Sequence, residues 1–293
     1  MRFVLTLISA APDHRLAGVA AAVSSALGTV EGPVWLAAGA ACDVFFDAAD
    51  PAMIERRVRA IVGEAAIDLL LQPPSSRRKR LLVADFESTI IENEMLDELG
   101  SIIGIGPAIA EITWRAMNGE IDFANALIAR VALLGGTETR VLAEAAARIR
   151  LCPGAESLVA TARRAGMATA LVTGGFTFFA EPVAARLGFD RVVANRLEIA
   201  EDRLTGKVLP PIVTGETKKA TLVALADELR LPPEAVLAVG DGANDLPMLN
   251  AAGLGIAYHA KPAVAAAARF RLDHADLTGL LYAQGYRREE ILG

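Results

Sequence analysis

The sequence predicts an α/β protein. A doubly wound parallel sheet carries an inserted helical segment and follows a small α+β domain. Three observations carry this prediction. From Leu81 onward, short apolar runs at 81–84, 168–172, 191–194, 236–239 and 254–257 alternate with helical stretches such as 155–165 and 218–229. Between the first two runs lie roughly eighty residues with helical patterning over 92–150, too long for an ordinary crossover. Residues 1–72 read in the order βαββαβ, that of a ferredoxin-like sandwich.

Each element has a local reason. Residues 3–9 are apolar with β-branched members and predict a strand, read here as buried rather than as a short signal peptide. Residues 14–27 repeat apolar side chains at helical spacing. Residues 33–38 and 41–46 read as strands turning near Gly39, and 66–71 closes the module. Residues 51–62 form a helix with Asp50 as N-cap and Pro51 at its first position. The stretch 73–80, with its prolines, serines and the run Arg77-Arg78-Lys79-Arg80, reads as a linker, and the basic run as a solvated charge cluster ahead of a buried strand. The strand runs lack polar alternation, as strands buried on both faces do. Residues 263–268 are alanine-rich and read as helix. The expected domains are therefore 1–72, a linker at 73–80, and 81–293, divided into a core (81–91 and 151–293) and a helical cap (about 92–150).

Composition narrows the function. A chain of 293 residues suggests about two domains, and 53% hydrophobic content with 22% charge can bury a large core. A net charge of −6, from 35 acidic and 29 basic residues, excludes a broad nucleic-acid-binding field. The distant Cys42 and Cys152 exclude a disulfide framework and a cysteine zinc site; a reducing, cytoplasmic compartment is expected. The most apolar region, 18–46, is broken by Ser24, Ser25, Glu31, Pro33 and Asp43, so no membrane helix is expected. His14, His259 and His274 lack ligand spacing and read as structural or exposed. Trp35 and Trp114 read as packing residues, and Gly104/Gly106 does not follow a strand, so it is no dinucleotide fingerprint.

Ligands of open α/β sheets bind beyond the carboxyl ends of the strands. The apolar runs are followed there by Asp85-Phe86-Glu87-Ser88-Thr89, by Thr173-Gly174-Gly175 and by Gly240-Asp241-Gly242-Ala243-Asn244-Asp245. Clustered carboxylates need a cation, and their hard oxygens suit Mg²⁺. Small residues let backbone N–H groups approach phosphate. Lys218 can neutralise a transferring group, and a carboxylate can be its acceptor. The pattern fits phosphoryl transfer.

The stretches VADFESTIIENEMLDELG, AMNGEIDF, LIARVALL, VTGGFTFFAEPVA, VANRLEI and VGDGANDLPMLNAAGLGIAYHAKP, in that order within 81–280, resemble the haloacid dehalogenase-like phosphatases, in the branch that acts on phosphoserine. The N-terminal module looks like the ACT-like extension of some bacterial members. The resemblance implies hydrolysis of O-phosphoserine, the last step of serine biosynthesis, through an aspartyl-phosphate. Asp85 would be the nucleophile and Glu87 the general acid and base. Mg²⁺ would be held by Asp85, the Glu87 carbonyl, Asp241 and Asp245. Thr173, the Gly174 N–H, Lys218 and Asn244 would meet the phosphate. Glu94 and Arg130 would read the ammonium and carboxylate, with Met117 and Phe123 packing over the substrate. The implied partner is the small-molecule substrate, with no nucleic acid and no membrane; oligomeric state stays open, a homodimer included.

One departure matters. The family motif is usually D-x-D-x-T, and here Glu87 replaces the second aspartate. Its extra methylene leaves three outcomes open: normal work, slower half-reactions, or transfer to another alcohol, as in a phosphoserine–homoserine phosphotransferase. A catalytically weakened, amino-acid-sensing relative is the further alternative. Thr173, where serine is commoner, keeps the hydroxyl, so little effect is expected.

Overall fold

The computed structural model describes residues 1–29 and 31–293. The N-terminal part consists of β1 (Arg2–Ser9), α1 (His14–Leu27), β2 (Val34–Ala37), β3 (Ala41–Asp47), α2 (Pro51–Val62) and β4 (Ile67–Gln72). Its antiparallel sheet runs β2-β3-β1-β4. Asp13 caps α1 through the Arg15 N–H, and Asp50 caps α2 through the Met53 N–H, with Pro51 at the helix start as expected. Leu5, Leu7 and Val44 of the sheet pack on Leu16, Val23 and Val58 of the helices.

The second part begins with β5 (Leu81–Ala84). It continues through α3 (Met95–Ile103), α4 (Gly106–Met117), α5 (Phe123–Ala132), α6 (Arg140–Ala146) and α7 (Ala155–Arg164) to β6 (Ala168–Phe176) and α8 (Thr177–Leu187). Then come β7 (Arg191–Ala200), β8 (Arg203–Leu209), α9 (Gly215–Glu228), β9 (Val236–Gly240) and α10 (Leu246–Ala251). The chain closes with β10 (Leu254–Tyr258), α11 (Pro262–Ala267), β11 (Phe270–Leu272) and α12 (Gly279–Ala283). The sheet order is β11-β10-β9-β5-β6-β7-β8. All neighbours are parallel except β8, which returns antiparallel along β7. The chain leaves β5 toward β6 on one side and is later joined by β9 on the other. The carboxyl end of β5 is therefore the topological switch point where α/β sheets open a crevice. Within β5, Leu81 and Val83 enter one apolar layer with Leu222 and Ala226, while Leu82 and Ala84 enter the other with Leu158 and Phe179. This double burial explains the uniformly apolar run.

Helices α3, α5 and α6 contribute Leu99, Leu127, Val131 and Leu142 to the same apolar cluster as Leu82 and Ala84. The chain leaves and re-enters the core on two adjacent extended segments: Glu92 N–H donates to the Arg150 carbonyl at 2.8 Å and Cys152 N–H to Ile90 at 2.9 Å. The β7–β8 hairpin braces the helices from below, with Gly136 N–H donating to Leu204 and Leu204 N–H to Thr137. The sequence showed no sign of this hairpin: the predicted strand at 191–194 runs on to Ala200, and β8 and β11 were not expected. Both carry charged side chains whose exposure breaks the apolar pattern.

The basic run corrects the sequence reading: it is a clamp between the two parts rather than a solvated cluster. Arg77 donates to both Asp43 oxygens at 2.6 and 2.7 Å, to the Thr6 hydroxyl at 2.7 Å and to the Ala283 carbonyl at 3.1 Å. Lys79 is buried and its ammonium reaches the Ser76 and Glu234 carbonyls. Arg78 lies over the Tyr286 ring and pairs with Glu290. A second joint is Asp68 of β4, whose carboxylate accepts the N–H groups of Asp273, His274 and Ala275. Burial is tolerated here because Arg77 meets Asp43, Lys79 meets carbonyls and Asp68 meets N–H groups. Cys42 and Cys152 are both buried and free, and burial pushes each thiol up to about 12. Among the described residues no helix is long and apolar enough to cross a membrane.

Candidate active site

Asp85 follows β5 directly, and its N–H donates to the Val239 carbonyl of β9 at 2.9 Å, so the sheet ladder fixes where its side chain starts. Phe86 is fully buried, and its carbonyl accepts the N–H groups of Ile90 and Ile91 at 2.8 and 2.9 Å. The turn so closed places Ser88 in the left-handed region at φ 53°. From the far side, α9 delivers Lys218 one turn after its Thr214 cap. The lysine is fully buried, with Nζ 2.7 Å from Oδ1 of Asp85 and 2.7 Å from Oδ1 of Asp245. Asp245 is also held by the Gly242 N–H at 3.0 Å. A side chain at Gly240 would collide with that carboxylate, so the glycine lets the loop after β9 fold back on itself.

Oxygens of Asp85, Asp241 and Asp245 lie within 4.8 Å of one another. Burial, then the charge of Asp85, then that of Asp245, pushes Asp241 up to about 7. Burial and Asp85 do the same to Asp245, also to about 7, against the pull of Lys218. Burial opposes the charge on Lys218, but Asp245 and Asp85 outweigh it and hold the lysine protonated. Once all three carboxylates are ionised, one ammonium leaves two of their negative charges unmet. Asp85 Oδ1, though 2.7 Å from the lysine, is buried without a hydrogen bond of good geometry. Hard oxygen donors with a double negative excess fit a divalent cation such as Mg²⁺.

The structure shows how Glu87 is accommodated. Its Oε1 accepts the Met95 N–H at 2.8 Å, at the start of α3, where the N-cap residue Glu94 supplies no side-chain bond of its own. Its Oε2 lies over Gly175, where an added Cβ would be only 2.8 Å away. The additional methylene thus spans to a free helix N-terminus across a site that only glycine leaves open. The residue is half-buried but its carboxyl end is enclosed. Burial, then Glu94 and Asp85, push it up to about 8, against the Met95 N–H and the charge of Arg130. It is therefore largely protonated at neutral pH, as a general acid must be.

The expected phosphate cradle is not a simple turn. Strand β6 continues through Thr173, Gly174 and Gly175 to Phe176, with a shift in its register to β7 between Val172 and Phe176. Side chains replace the missing ladder bonds: the Thr173 hydroxyl accepts the Gly175 N–H at 2.9 Å, and Asn195 donates to the Gly174 carbonyl at 2.7 Å. Asn195 also accepts the Val213 N–H at 2.8 Å. It was missed by sequence reasoning, although it lies in the VANRLEI stretch. Thr173 is buried at the crevice floor. Asn244 is half-buried, its side-chain oxygen folded against Gly242.

Phe123, the first residue of α5, covers Gly174: a Cβ there would lie 2.7 Å from its ring tip. Glu94 stands exposed at the mouth and accepts the Ser88 hydroxyl at 2.7 Å. Arg130, in the last turn of α5, donates to the Ala126 carbonyl at 3.3 Å, and its charge reaches Glu87. Met117, at the end of α4, is 64% exposed and touches Lys261. Trp114 is 57% exposed on the outer side of α4, which corrects its reading as a packing residue; Trp35 does pack on the N-terminal core. The ring of His259 bonds the Ala275 carbonyl at 2.9 Å and stacks on Tyr258, a structural role as expected. Ser88 and Thr89, whose hydroxyls donate to Glu94 and Asp241, were overlooked by sequence reasoning, though both lie inside the first family-like stretch.

A family model described as haloacid dehalogenase-like hydrolase matches residues 82–250. The phosphoserine phosphatase of Archaeoglobus fulgidus is 40% identical over 233 residues, which is 79% of this chain and 68% of that protein. The phosphoserine phosphatase of Streptomyces coelicolor is 43% identical over 215 residues, 73% of this chain but only 52% of its own length. Among solved structures, a haloacid dehalogenase family hydrolase from Salmonella enterica serovar Typhi superposes with a TM-score of 0.84 at 29% identity, covering 96% of this chain and 98% of the other.

Proposed function

This chain belongs to the haloacid dehalogenase-like hydrolases, and from that premise we propose that it hydrolyses O-phosphoserine to serine and phosphate, the last step of serine biosynthesis, with Asp85 as the transient phosphoryl carrier. The observation that carries this reading is Lys218 pinned between Asp85 and Asp245 beside Asp241, with the Glu87 carboxyl held close by through the Met95 N–H. The named activity of the two relatives supports the choice of substrate.

Asp85, Asp241 and Asp245, with the Glu87 carbonyl, would hold Mg²⁺, which when bound offsets charge on the phosphate oxygens. An Asp85 oxygen forms a bond to phosphorus as the ester P–O bond breaks, and Glu87 gives its proton to the departing serine oxygen. Glu87, now ionised, takes a proton from water. The resulting hydroxide bonds phosphorus, and the Asp85–phosphorus bond breaks to release phosphate. Lys218 stays charged throughout and screens Asp85 from the incoming anion. Thr173, the Gly174 N–H and Asn244 orient the phosphate. Glu94 takes the substrate ammonium and Arg130 its carboxylate, while Phe123 and Met117 keep water from the ester.

In this reading residues of about 92–150 are a cap that closes over the crevice on its two extended connections, and residues 1–72 are an ACT-like domain joined through 73–80 to the phosphatase domain 81–293. The protein works in the cytoplasm. The test is phosphate release from phosphoserine by purified protein with and without Mg²⁺. Release is expected only with the ion and only when Asp85 is intact; release by Asp85→Asn at the wild-type rate overturns the reading.

A further inference from the structure

Lys261 has no part in the chemistry described so far, yet it stands at the mouth of the crevice. It follows β10, at the same edge of the sheet as Asp85, Thr173 and Asp241. Its backbone is firmly held. His259 sits in the left-handed region at φ 44°, and its N–H donates to the Leu272 carbonyl at 2.8 Å. Pro262 follows, and the Lys261 carbonyl accepts the N–H groups of Val264 and Ala265, both at 2.9 Å. From this fixed root the exposed side chain crosses to the helical segment, with Nζ 3.9 Å from Met117 Sδ. Its charge also falls on Glu94.

The cations of the crevice divide by their commitments. Lys218 is fully engaged by Asp85 and Asp245. Arg130 and Lys261 have no carboxylate within ion-pair distance among the described residues; Arg130 bonds a carbonyl of its own helix. With the phosphate at Asp85, the amino-acid end of phosphoserine faces the mouth, where it brings one ammonium and one carboxylate. Glu94 suits the ammonium, and a carboxylate can be shared by two cations.

We propose that Lys261 is a specificity-determining residue that reads the substrate carboxylate together with Arg130. This rests on the phosphoserine reading above. The lysine lies against Met117 and within the field of Glu94. With the substrate ammonium at Glu94, the uncommitted Lys261 ammonium meets the carboxylate, and its Met117 contact ties the helical segment to the sheet over the bound amino acid.

The test uses the full chain with Mg²⁺, in wild type, Lys261→Gln and Lys261→Arg. Phosphoserine is the substrate; phosphoethanolamine, which keeps the phosphate ester and the ammonium but lacks the carboxylate, is the competitor. For Lys261→Gln, the KM for phosphoserine is expected to rise about ten-fold with kcat within two-fold, as befits a solvent-facing charge-assisted contact. The inhibition constant of phosphoethanolamine should move less than two-fold, and Lys261→Arg should restore most of the KM. Equal losses for both ligands, a loss confined to kcat, or an unchanged KM overturns the proposal. Wild type that releases phosphate from phosphoethanolamine but not from phosphoserine overturns the phosphoserine reading, and this proposal with it.

Discussion

Replacing Glu87 by aspartate probes the feature that most separates this chain from the common motif. The change withdraws the carboxylate by roughly 1.3 Å, one methylene's projection along the side chain. The 2.8 Å bond from the Met95 N–H then opens to about 4 Å, beyond hydrogen-bonding distance. Helix α3 loses an acceptor that its own N-cap residue does not replace. Loss of such a cap costs about 1 kcal/mol, or roughly 2–4 °C of melting temperature for a domain of this size. The acid itself remains, and aspartate fits the room above Gly175, so phosphate release should stay within about ten-fold of wild type. Glu87→Gln, which keeps the length but cannot trade a proton, should lose about 10²- to 10⁴-fold. Thermal melts and steady-state phosphate release on the three proteins decide the matter. An aspartate variant that melts with wild type, or an inactive wild type beside an active Glu87→Asp, refutes the reasoning.

Gly175→Ala should lower activity about 100-fold with little change in melting, because the new Cβ would press on Glu87 Oε2; wild-type kinetics would mean the acid has another place to go. Arg77→Met strands the buried Asp43 carboxylate and should cost about 3–5 kcal/mol in urea unfolding, whereas a loss below about 1 kcal/mol would mean that Arg77 is no clamp. Without metal, Asp241 and Asp245 are raised to about 7 and Glu87 to about 8, above the roughly 4 of unfolded carboxylates. The folded state holds these protons more tightly, so this stabilising term is complete below about pH 4 and disappears as pH climbs through 7 to 8. Mg²⁺ displaces the protons of Asp241 and Asp245, so its stabilisation in thermal melts should be larger at pH 8 than at pH 6; a shift independent of pH contradicts the carboxylate cluster as its site.

Local chemistry let the sequence alone determine much. Strand β5 was legible because a strand buried on both faces must be apolar throughout, and Asp85, Thr173 and Asp241 were legible because each directly follows or extends such a run. Asp50 with Pro51 announced α2, since capping is a matter of adjacent residues. What tertiary structure decided was every relation between distant charges. Lys218 and Asp85 are 133 positions apart, and only the parallel packing of β5, β6 and β9 brings them to 2.7 Å. The run at 77–80 looked solvated by composition, but a charge is buried or exposed according to its partners, and Asp43 and the carbonyls of α12 were nowhere near it in sequence. The room for Glu87 depended likewise on Gly175 and on the free start of α3, neither of which its own neighbours could announce.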